Sequence, residues 1–146
     1  MLKPMFDLKV ISAGLANFVE KAERKQFMVL SRIGEEFVNK AREKQPSEGS
    51  FTDQTGNLRS SIGYIIVKDG HVLKEFFPGG KPVGSGTGKD VAKDLAATYV
   101  DGFILIVVAG MDYAAAVEST GWDVITGSIP LKHEVENLLK EWLDLK

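Results

Sequence analysis

Apolar residues recur at helical spacing over the first third of the chain. Ile11, Leu15, Phe18 and Ala22, then Phe27, Leu30, Ile33 or Gly34, Phe37 and Ala41 stand three or four apart. That rhythm predicts a helix from about Asp7 to Lys44 with one apolar face. Gly14 and Gly34 mark possible bends, so one long helix and two shorter ones both fit. The stretch "QPSEGSFTDQTGN" then collects turn-forming residues and predicts a loop.

The period changes after the loop. "LRSSIGYIIVK" (Leu58–Lys68) is rich in Ile, Val and Tyr and predicts a strand. Asp69-Gly70 predicts a hairpin turn, with "HVLKEFF" as the returning strand. "KDVAKDLAATYVDG" predicts a short helix with Val91, Leu95 and Tyr99 on one side and Gly102 at its end. "FILIVVAG" is a continuous apolar run of the kind a central strand buried on both faces shows. "DYAAAVEST" predicts a short helix and "WDVIT" a last short strand. In "SIPLKHEVENLLKEWLDLK", Leu131, Val135, Leu138, Trp142 and Leu145 form a stripe, with Ser128 and Pro130 as a start signal. The order predicts an α+β fold: a long N-terminal helix and a C-terminal helix packed on a small antiparallel sheet. One domain over residues 1–146 is expected, with a flexible insertion at about 78–101.

Composition narrows the possibilities. The chain has 146 residues, 44% hydrophobic and 26% charged, with a formal net charge of −2. Such a chain can bury a real core and carries no overall basic character for binding nucleic acid. Acidic residues outnumber basic ones after residue 50. There is no cysteine, which excludes disulfides, thiolate catalysis and Cys-ligated metals. The longest apolar run, Phe103–Ala109, is too short to span a bilayer, and no membrane partner is expected.

The stretch "GSGTGKD" (Gly84–Asp90) invites comparison with phosphate-binding loops. A P-loop has the form G-x-x-x-x-G-K-[ST], so its amides wrap phosphate and its hydroxyl holds Mg²⁺. Here Val83 stands where the first glycine belongs and Asp90 where the hydroxyl belongs, and Pro78 and Pro82 interrupt the chain upstream. The dinucleotide pattern G-x-G-x-x-G fails at Lys89. The other reading makes Thr87-x-x-Asp90 a capping box, with Gly84 and Gly86 in a flexible lead-in. A small nucleotide-binding or other enzyme using residues 84–90 stays open as the alternative. His133-Glu134-x-x-Asn137 lacks the second histidine of a zinc motif, and His71 is the only other histidine in the chain. No G-x-S-x-G elbow occurs. Trp122 and Trp142 are expected in the core, and the cations of "AERKQ" and "NKAREKQ" on a solvated helix face.

Three segments together carry a resemblance. The first helix ends in "AREKQP", a loop leads to "TGNLRSSI" (Thr55–Ile62), and "DYAAAVEST-G" (Asp112–Gly121) comes later. Over about residues 10–125 this resembles the phage head–tail joining, or tail-completion, family. The resemblance implies a non-enzymatic virion protein without cofactor or metal. It implies a homo-oligomeric ring at the particle neck, between the portal-side connector and the tail tube, through which DNA passes without specific binding. It places the protein in the virion and, during assembly, in the host cytoplasm. An interaction module outside any phage is the other alternative. The motif residues would hold structural positions: Thr55, Gly56 and Asn57 turn the chain, with Gly56 at positive φ. Leu58 and Ile62 enter the core. Arg59, Ser60 and Ser61 face outward or tie down the helix end. Tyr113, Ala114 and Glu118 sit on the short helix after the strand. Phe77–Asp101 looks like an insertion relative to the family, and Gly84, Gly86, Thr87, Lys89, Val91, Leu95 and Tyr99 would form an arm that reaches a neighbouring subunit.

Overall fold

A computed structural model of the chain describes residues 7–143. The first apolar stripe folds as one uninterrupted helix, α1 (Leu8–Glu43), so neither Gly14 nor Gly34 breaks it. Asp7 is its N-cap, and its carboxylate accepts the backbone N–H of Lys9 at 2.9 Å. Lys40 and Arg42 lie in the last turn, where cations suit the helix dipole.

The expected strand from Leu58 begins later. Residues Asn57–Ser60 form one helical turn, α2, and β1 runs from Ile62 to Lys68. The reason lies in local hydrogen bonds: the Ser61 amide bonds back to the Asn57 and Leu58 carbonyls at 2.9 and 3.1 Å. The hairpin is as expected, with Asp69 at φ 49° and Gly70 at φ 81°, leading into β2 (His71–Phe76). β3 spans Phe103–Ala109. The sheet order is β2-β1-β3, antiparallel throughout, and the architecture is α+β. The central strand is therefore β1, and "FILIVVA" lies at an edge. Its continuous apolar character has a different cause: helices cover both faces of the sheet.

Side chains of β1 alternate between two cores. Ile62, Tyr64 and Ile66 join Val38, Ala41, Phe51 and Leu58 on the α1 side. Ile65 and Val67 join Ile106, Val108, Ala92 and Ala96 on the other. The last two residues belong to α3 (Pro82–Ala96), which starts earlier and ends earlier than expected. Pro82 opens it at a position where the missing N–H costs nothing. The glycines of "GSGTGKD" are therefore inside a helix, and the capping box at Thr87 does not form. The Thr87 hydroxyl instead donates to the Val83 carbonyl at 2.9 Å. Gly102, at φ 76°, shapes the turn before β3 rather than ending the helix.

α4 (Ala114–Ser119) follows β3 as expected. "WDVIT" is not a strand: a lone bridge joins Ser50 to Asp123, and Thr126–Ser128 form a 3₁₀ turn. Trp122 is 48% exposed, not core. α5 (Lys132–Leu143) packs mainly along α1. It runs antiparallel to α1: Glu134 lines a groove with Lys40, and Leu139 one with Gln26 and Val29. Of the stripe expected on it, the Trp142 side chain and Leu145 lie outside the described residues.

Candidate functional site: the Thr55–Ile62 clasp

The loop before α2 is held by one carboxylate. Asp53 accepts the Gly56 amide at 2.9 Å and the Arg59 amide at 2.8 Å. Gly56 takes φ 76°, the conformation its place in the motif requires. The Thr55 hydroxyl accepts the Asn57 amide at 3.2 Å. Leu58 and Ile62 are buried in the core, as expected.

Arg59 ties down the end of α1. Its guanidinium donates to the Arg42 carbonyl at 2.6 Å and the Phe51 carbonyl at 3.1 Å, and lies 4.5 Å from the centre of the Phe51 ring. Arg42 returns the bond, donating from Nε to the Arg59 carbonyl at 3.1 Å. Burial, and then the neighbouring Arg59 charge, push the Arg42 guanidinium below its ordinary pKa. The Ser61 hydroxyl donates to the Leu58 carbonyl at 2.7 Å, and the Ser60 hydroxyl accepts the Lys81 amide at 3.2 Å.

The second motif segment builds a matching clasp. Glu118 projects from α4 and accepts the amides of Val124, Ile125 and Thr126 and the Thr126 hydroxyl. Burial raises its pKa, but these donors outweigh burial and hold the carboxyl below its ordinary value. Asp123 beside it accepts Lys44 at 2.6 Å and the Gly127 amide at 2.7 Å. Burial opposes those two donors, and the net pKa is again lowered. The segments meet in a groove lined by Phe51, Asp53, Thr55, Leu58, Tyr113 and Val117, among others. Ala114 is buried beneath it, and Tyr113 is partly open to solvent.

The helix that carries the residues expected to form an arm packs one face, including Gly84, on the chain's own body. Gly84 sits so close to Asn57 that a Cβ would overlap the Asn57 carbonyl, and one on Gly88 would overlap the Ser61 carbonyl. A Cβ on Gly86 meets nothing within 4 Å. The buried face is Gly84, Gly88, Ala92 and Ala96, a four-residue repeat of small side chains. Val91 is half-buried at its margin, while Leu95 and Tyr99 are exposed. Lys89 lies 3.9 Å from Glu75, which also pairs with Lys93 at 2.8 Å. The Ser85 amide bonds to the Lys81 carbonyl at 3.0 Å, as an amide inside a helix does.

Sequence reasoning missed Arg42, Asp53 and Asp123, whose roles depend on distant partners. It also missed Tyr64, which is fully buried and donates to Glu35 at 3.2 Å. Lys74 donates to the same carboxylate at 2.8 Å, and this bond is the main cause lowering the Glu35 pKa. The small-residue repeat in α3 had a legible signal, its spacing of four. Among the described residues, no group of three or more His, Asp or Glu side chains is placed to hold a metal ion, and no helix is long and apolar enough to cross a membrane. No protein-family model, curated protein or solved structure matches the chain.

Proposed function

We propose that the protein is a structural subunit of a phage or prophage particle. In this reading it assembles as a homo-oligomeric ring at the neck, between the portal-side connector and the tail tube, and acts through protein–protein contact. The observation that carries the reading is the outer half of α1. Leu8, Leu15 and Phe18 are 73%, 61% and 71% exposed on a helix that projects beyond the folded body. A continuous apolar stripe on a projecting helix is a surface that association covers. The resemblance in Thr55–Ile62 and Asp112–Gly121 supplies the setting. The motif geometry is consistent with it, because the polar groups described there bind the chain's own backbone.

The test is native mass spectrometry with negative-stain imaging at high protein concentration, and closed rings are the expected result. The rival reading, a nucleotide enzyme using residues 84–90, expects a thermal shift with ATP or GTP and Mg²⁺. A nucleotide-dependent shift in a protein that never forms rings would overturn the proposal.

A further inference from the structure

The apolar stripe on outer α1 follows a heptad. Leu8, Ile11, Leu15, Phe18 and Ala22 alternate steps of three and four, the spacing of a two-helix seam. Toward the body the stripe continues through Val29, Ile33 and Phe37. There α5 flanks it, running antiparallel, and Leu139 lines a groove together with Gln26 and Val29. The outer half, from Leu8 to Phe18, thus carries the stripe past the packing of α1 on α5.

We propose that in the free protein this outer half pairs with the outer half of α1 from a second copy, the two helices antiparallel about a twofold axis. This deepens the reading of the face as an assembly surface and rests on that reading. It does not require a phage setting.

Two observations choose the second copy as occupant. The first is register. Placing Leu15 opposite Phe18 of the second copy puts Ile11 opposite Ala22 and Leu8 opposite Lys25. Asp7, the capping carboxylate, then lies opposite Gln26 and one residue from the exposed Lys25 of the second copy, a favourable approach of charge. Gly14, open on all sides, leaves room for the stem of Lys21. The second is area. The free stripe is about 25 Å long and about one helix, roughly 10 Å, wide. Two such stripes bury a few hundred Å² each, below the total of about 1,200 Å² of a stable specific interface. A weak, concentration-dependent pair follows. A twofold pair also uses the same surface on both copies, whereas a ring uses two different ones. The pair is therefore a resting form that opens before a ring closes.

The chain has no cysteine, so disulfide mapping is clean. Leu15→Cys and Phe18→Cys proteins, prepared separately, are mixed and oxidised. The expected product is the L15C–F18C heterodimer, in excess over either homodimer. Predominant L15C homodimer indicates parallel pairing and overturns the proposal, as does absence of cross-linking together with a monomer at every concentration by sedimentation. The double variant L15E/F18E should abolish the dimer with no loss of melting temperature in dilute, monomeric protein, because these side chains are exposed in the single chain. Rings in a protein that gives no heterodimer would sink the pair while leaving the proposed function standing. Heterodimers in a protein that never forms rings would do the reverse.

Discussion

Arg59 shows how much of a motif's role depends on residues far from it in the chain. Gly56 was legible, since a turn between a loop and a core leucine calls for positive φ, and it has one. The partners of Arg59 were not legible: Arg42 lies 17 residues upstream and offers its carbonyl only because α1 ends there. Two carbonyls and a ring face need the flat guanidinium fork. Arg59→Lys keeps the charge and loses that geometry, so urea unfolding should show a loss of about 1.5–3 kcal/mol. The glycines of α3 make a sharper test. Gly84→Ala and Gly88→Ala force a methyl group into backbone and should each destabilise by about 1–3 kcal/mol. Gly86→Ala sits in open space on a helix and should stabilise by about 0.5–1 kcal/mol. A flexible lead-in would have made the three substitutions alike. Similar effects at all three positions would contradict the packed helix.

At the scale of elements, periodicity was legible wherever a helix or strand presents one consistent face. α1, the hairpin and α4 appeared where expected. The errors fell where local and distant demands compete. α2 interrupts a strand-like sequence because Asp53 and Ser61 bond to its backbone. α3 absorbs a glycine-rich stretch because close approach to Asn57, Ser61 and Gly110 excludes larger side chains. The segment after α4 gives up strand pairing and wraps Glu118 and Asp123. That wrapping has a pH signature. Both carboxyls have folded pKa values below their ordinary ones, so the native state binds protons more weakly than the unfolded chain. Their contribution is fully present above the ordinary carboxylate range and is lost as pH falls through the depressed values. Thermal unfolding followed from about pH 5 to about pH 3 should show this decline. Glu118→Gln should lower the melting temperature at neutral pH and flatten the decline. An unchanged slope would remove Glu118 from the account.

For the whole molecule, α1 and α3 sandwich a three-stranded sheet, and α3 supplies Ala92 and Ala96 to one of two cores. Deleting residues 79–101 should therefore unfold the protein, by circular dichroism, rather than leave a competent subunit lacking an arm. Retention of a cooperative transition after the deletion would argue that α3 is an appendage. The outer turns of α1 should behave in the opposite way: deleting residues 1–19 should leave the melting transition in place and remove the proposed self-association. The α+β class and the positions of most elements followed from the sequence itself, because hydrophobic period and turn residues are local properties of the chain. Tertiary structure decided which strand is central, that Gly84 and Gly88 serve close packing, and that half of a uniform apolar stripe stays open to solvent. These depend on which surfaces meet. An apolar stripe has the same spacing whether its partner lies in the same chain or in another.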